Sequence, residues 1–121
     1  MTGLRLEDGK LAHRFIICDL AIRSVEHDLK QLDGLKLKKA LQNIYEEILK
    51  ELFNERVQIN KEMQAAHLKY YKTVKIDEYF TDYYFTKHTG DTSMTYANMN
   101  LFHKVNDKIE DMIKQKSHPN E

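Results

Sequence analysis

Apolar residues near the start of the chain fall at Leu11, Phe15, Cys18, Ile22, Val25, Leu29 and Leu32, with spacings of 4, 3, 4, 3, 4 and 3. Steps of four and three keep side chains on one helix face. The pattern therefore predicts a helix from about Lys10 to Leu32 whose seam lies along a partner helix, as in a coiled coil. Ile16, Ile17, Leu20 and Ala21 widen the stripe, which calls for more than one neighbour. Asp33-Gly34 supplies the stop, because glycine readily adopts the left-handed conformation that closes a helix.

A second helix is expected to begin near Leu35, after so short a connection that it must turn back antiparallel. Its seam is Leu37, Leu41, Ile44, Ile48, Leu52, Ile59, Met63 and Ala66, broadened by Tyr45, Leu49, Phe53 and Val57. Neither Gly nor Pro interrupts residues 35–89, so this helix is free to reach Tyr70, a length of about 50 Å against about 33 Å for the first. The overhang, near residues 57–71, needs cover from the C-terminal part of the chain or from a second copy.

From Lys72 the pattern changes. Thr73-Val74-Lys75-Ile76 is β-prone, but Tyr79, Phe80, Tyr83 and Tyr84 fall at helical spacing behind Asp77, a good N-cap, so a short helix at 77–87 is favoured over a hairpin. Thr89-Gly90-Asp91 is a turn. A last helix is expected from about Ser93 to Lys116, capped by Thr92 or Ser93, with a stripe of Met94, Ala97, Leu101, Val105, Ile109, Met112 and Ile113. The sum is an all-α or α-dominated chain: an antiparallel helical hairpin extended to a three- to four-helix bundle, with a small β element at 72–88 as the alternative. Residues 1–121 form one helical domain with a flexible polar tail at about 117–121.

Composition supports a slender helical protein. Of 121 residues, 41% are apolar and 31% charged; glycine (4) and proline (1, Pro119) are too scarce for an ordinary all-β fold. Charge sums to zero and balances within each half, with ten acidic and ten basic residues in 1–60, which weakens a general nucleic-acid role. The first ten residues do not read as a signal peptide and no window approaches a membrane span, so the expected location is the cytoplasm.

Candidate chemistry is sparse. None of the six histidines follows a glutamate by three, so the Glu-x-x-His pairs of a carboxylate-bridged di-metal bundle are missing, and no cofactor or metal site is expected. Cys18, the one cysteine, lies on a seam and reads as a small core hydrophobe. The four glycines are isolated, so no loop cradles a phosphate, and no catalytic constellation emerges.

The most informative feature is aromatic. Tyr70, Tyr71, Tyr79, Phe80, Tyr83, Tyr84 and Phe85, with Tyr96, make eight of the twelve Tyr and Phe residues in under thirty positions. They read first as a satellite core over the second helix, next as a partner-contact surface, since tyrosine dominates binding hot spots, and last as a stacking platform for single-stranded nucleic acid. Lys36, Lys38, Lys39, Lys69, Lys72 and Lys75 form a candidate basic patch. The expected function is a non-enzymatic interaction protein, a small adaptor or regulator that contacts proteins and associates with itself as a homodimer. A nucleic-acid-associated regulator using the lysines and aromatics is the rival, and an enzyme with a site assembled from scattered residues is the third reading.

Overall fold

The computed structural model of this chain describes residues 6–32 and 38–117. The first helix, α1, runs Leu6–Lys30 and is the centre of the molecule. The expected seam is buried along it: Leu11, Phe15, Cys18, Ile22 and Val25 are all 9% exposed or less. Ile16, Ile17 and Ala21 are buried too, so both sides of α1 are covered. The second helix, α2 (Lys38–Ala65), packs along α1 through Ile48, Leu52, Ile59 and Met63. Phe53 and Val57, read as broadening that seam, remain exposed.

The two helices match in length, 25 and 28 residues, because α1 starts earlier and α2 stops sooner than the spacing suggested. No overhang is left for a second copy to cover: Ile59 and Met63 belong to the chain's own core, and Arg14 of α1 donates to both carboxylate oxygens of Glu62 at 2.8 and 3.2 Å. The helix stop is chemically specific. His67 takes a left-handed φ of 57°, its N–H bonds the Gln64 carbonyl at 3.1 Å, and the Leu68 N–H reaches back to the Met63 carbonyl at 2.9 Å. These are the two bonds of a Schellman closure, with the expected apolar contact supplied by buried Leu68 and Met63, but with histidine where glycine is usual.

Beyond it the chain turns into sheet, and here the structure overturns the expected helical bundle. Strands β1 (Lys69–Lys75), β2 (Phe80–Lys87) and β3 (Gly90–Ala97) form an antiparallel meander in the order β1-β2-β3, followed at once by helix α3 (Asn98–Ser117). Among the described residues the architecture is three helices with a three-stranded sheet. The short helix at 77–87 does not form, and Met94 and Ala97, read as the start of the last helical stripe, lie on β3. The cause is local. Tyr, Thr, Val and Phe crowd residues 70–96 and suit a pleated surface.

The Asp77 Oδ1 accepts the N–H groups of Tyr79 at 2.8 Å and Phe80 at 2.9 Å. A helix N-cap makes the same bonds, but here they close the β1–β2 turn. His88 and Thr89 make the β2–β3 turn, and Gly90 follows at a φ of 135° that a side chain rarely adopts.

Asn98 fixes the junction of β3 and α3. Its N–H donates to the Tyr79 carbonyl at 2.8 Å, its side-chain amide to the Glu78 carbonyl at 3.0 Å, and its Oδ1 accepts the Thr81 hydroxyl at 2.6 Å. Leu101, Val105 and Ile109 then bury the stripe of α3. The Asp33-Gly34 stop, the helix start at Leu35 with Leu37 of its seam, Lys36 and the tail beyond residue 117 lie outside the described residues, as does the side chain of Lys38.

Candidate functional site

Alternation along β2 divides the aromatic segment between two faces. Tyr83 and Phe85 point inward, at 7% and 0% exposure. Phe85 stands edge-on to Phe15 of α1 with ring centres 6.2 Å apart, and Tyr70 of β1 completes the cluster at 5.3 Å from Phe15 and 6.0 Å from Phe85. Tyr83 meets Tyr96 edge-on at 5.8 Å. Phe85 and Tyr83 are core and fasten the sheet to the helices, with Tyr96 partly buried against them, while Tyr70 stays 41% exposed at the rim. At the hairpin end, Lys87 holds the buried Asp8 carboxylate of α1 at 2.7 Å.

The other face is open. Lys72 of β1 lies with its ammonium 5.4 Å from the Tyr71 ring centre and 5.1 Å from that of Tyr84, a cation–π sandwich on the solvent side. Beside them the Thr95 hydroxyl donates to the Asp82 carboxylate. All seven residues of β1 are exposed. Lys69, Lys72 and Lys75 are therefore brought together on one strand. Lys39, at the far end of α2, stands about 40 Å away by helical rise, so it does not share a surface with the three lysines of β1.

At the turn end of the sheet, Tyr79 and Phe80 stand beside Met99 and Phe102 from the first turns of α3. They are 65%, 45%, 64% and 60% exposed, and with Ala97 and Glu78 they line an open groove of about 860 Å³. Of the seven aromatics named from the sequence, Tyr79 and Phe80 lie here, Tyr71 and Tyr84 lie on the outer sheet face, Tyr83 and Phe85 join the core cluster, and Tyr70 stands exposed at its rim. Met99 and Phe102 were missed. The signal available for them was their place off the Leu101-Val105-Ile109 stripe: an apolar residue on the wet side of an amphipathic helix has no core to fill.

A polar cleft of about 290 Å³ lies between the three helices, lined by His13, Arg14, Glu55, Lys104, Asp107 and Lys108 over Ile17. Three of its five charged residues are held in ion pairs. Lys108 pairs with Glu55 at 3.1 Å and Arg14 with Glu62. His13 Nδ1 is hydrogen-bonded to the Tyr96 hydroxyl at 2.9 Å. Burial, helped by the Lys104 charge, lowers the His13 pKa from its ordinary value, and burial pushes Tyr96 up to about 12. No nucleophile accompanies them. Cys18 is elsewhere, 1% exposed, with its thiol donating to the Leu52 carbonyl and its pKa pushed up to about 11 by burial. A buried, protonated thiol is inert. Among the described residues no group of three or more His, Cys, Asp or Glu side chains could hold a metal ion. No helix among them is long and apolar enough to cross a membrane.

Over residues 4–117 the chain matches the family model described as YhjD protein. That description names no activity, ligand or partner. No curated protein and no solved structure matches the chain.

Proposed function

The chain belongs to the YhjD protein family, and from the surfaces its fold leaves open we propose that it is a non-enzymatic interaction protein acting through protein–protein contacts. One observation carries this reading. Four large apolar side chains, Tyr79 of the β1–β2 turn, Phe80 of β2 and Met99 and Phe102 of α3, line one groove, and each is at least 45% exposed. A contiguous apolar surface of this kind costs solubility unless something covers it. Aromatic and methionine side chains are the types that dominate such contacts.

The occupant is a second copy of the chain. An isologous contact sets the patch against itself and asks for no other complementary surface. Glu78 is the one charged residue lining the groove, and the chain's net charge is zero, so little repulsion opposes the approach. Light scattering after size exclusion tests this from micromolar to near-millimolar concentration. The mass of the parent should climb from 14.4 kDa towards the dimer, and Phe80→Ser with Phe102→Ser should hold it at the monomer. A parent that stays monomeric throughout would overturn the proposal.

Lys69, Lys72 and Lys75 beside Tyr71 favour a second reading, binding of single-stranded nucleic acid. Two features weigh against it. The Lys72 ammonium already occupies faces of Tyr71 and Tyr84 that a base would need, and Asp82 adds a negative charge on the same side of the sheet. Binding of an oligothymidylate that falls steeply with salt would revive it.

A further inference from the structure

Strand β1 is an open edge. It pairs with β2 alone, and among the described residues no backbone hydrogen bond links residues 69–75 to anything beyond that ladder. One row of its N–H and C=O groups therefore faces solvent, a template on which another extended chain can pair. Natural sheets blunt such edges, and lysine is a common means. The lysines of β1 do more than blunt it, because their positions choose between partners.

They stand at the first, middle and last residues of the strand: Lys69, Lys72 and Lys75. Laid antiparallel against a second β1 about Lys72, Lys72 faces Lys72 of the other copy, and the bulge between Tyr70 and Lys72 offsets Lys69 and Lys75 by one place, so that they meet as diagonal neighbours at both ends. The direct pair and both diagonal ones are like-charged, so copy-on-copy pairing is penalised along the whole strand. Residues 68–76 contain no acidic side chain to relieve this. The same arithmetic reverses for a strand with carboxylates at those three places. Of the nearby carboxylates, Asp8 is paired with Lys87, Asp77 is bound to two backbone N–H groups in the turn, and Asp82 lies one strand in from the edge, on β2.

We propose that β1 accepts an extended acidic segment of a partner protein, which adds to the sheet as a fourth strand beside Lys69, Lys72 and Lys75. This rests on the reading of the chain as an interaction protein but uses a surface other than the apolar groove. An edge that lysine merely protects would bind no strand at all.

The test is fluorescence anisotropy with the full chain and labelled heptapeptides. The first probe is Glu-Thr-Val-Glu-Val-Thr-Glu, the second carries Lys for each Glu, and the third has Pro for both Val residues, which removes backbone donors while keeping the charge. The parent should prefer the acidic peptide over the basic one by at least roughly tenfold, since three exposed ion pairs of about a factor of two each give about eightfold before repulsion of the basic peptide is counted. Lys69→Glu with Lys72→Glu and Lys75→Glu, three exposed positions whose folding is checked by circular dichroism, should invert the preference. The Phe80→Ser, Phe102→Ser protein should bind as the parent does, which separates this inference from the fate of the groove. No binding of either charged peptide overturns the proposal. So does equal binding of the proline peptide, which would mean charge attraction without strand pairing. Displacement of the acidic peptide by oligothymidylate, lost on the same lysine substitutions, would assign the strand to nucleic acid and also overturn it.

Discussion

Replacing Phe85 with alanine removes a ring that is wholly buried between the sheet and α1, where it touches Phe15 and Tyr70 edge-on. The hole opens at the middle of β2, which is paired on both sides and cannot easily move in to fill it. Truncations of this kind cost about 3–5 kcal/mol, the transfer of the ring plus the cavity left behind. For a domain of this size each kcal/mol moves the melting temperature by about 3–5 °C, so the midpoint should fall by about 10–20 °C. Tyr84→Ala is the control. Tyr84 is the next residue on the same strand but faces outward, half-buried beneath Lys72, and its loss should cost about 1 kcal/mol. Far-ultraviolet circular dichroism reads the helices during thermal and urea melts. The helical signal should be lost in one transition that shifts with Phe85, because α1 has the sheet as part of its core. If Phe85→Ala melts within about 1 kcal/mol of Tyr84→Ala, the sheet is not packed on α1 as described and the inward assignment of Phe85 is wrong.

Two further outcomes follow from local chemistry. His67→Gly should raise stability by about 0.5–1 kcal/mol in the same melts, because the left-handed φ of 57° penalises a side chain and glycine is the usual residue at that closure; a loss would show that the His67 ring, 5.3 Å from His88, contributes more than its backbone strain costs. His13 sets a pH dependence. Its folded pKa lies below the ordinary 6.5, so well above that value both states are neutral; as pH falls through 6.5 the unfolded chain takes the proton first, and stability declines until the depressed folded pKa is passed. The stability difference between the parent and His13→Gln should therefore move against the parent from about pH 7.5 to about pH 5.5, and a difference constant across that range would refute the assignment.

The helical half of the fold was legible because its signal is long and periodic. Leu11 to Val25 and Ile48 to Met63 repeat often enough that one face is certain to seek cover, and those residues are the ones buried. The sheet was hidden by coincidences of short range. Tyr79, Phe80, Tyr83 and Tyr84 satisfy a helical spacing and also fit alternation, where 83 and 85 point in while 80, 82 and 84 point out. Asp77 makes the same two hydrogen bonds whether a helix or a strand follows. The stop of α2 carried no glycine flag, because histidine stands in the left-handed position, and without that stop the second helix had no reason to end before Tyr70.

The misreading of the fold also misplaced the candidate surface. On a helix, Tyr79, Phe80, Tyr83 and Tyr84 would share one face and act together. On a sheet the aromatics separate into core and surface, while the three lysines join one exposed strand. The consequence is physical as well as geometric. A lysine on a solvated helix face contributes little to the choice of partner, whereas a lysine on an open sheet edge stands beside unpaired backbone groups that bind any extended chain. There the charge supplies what backbone hydrogen bonds lack, a preference among sequences, and it acts first against the commonest extended chain near the edge, the same strand of another copy.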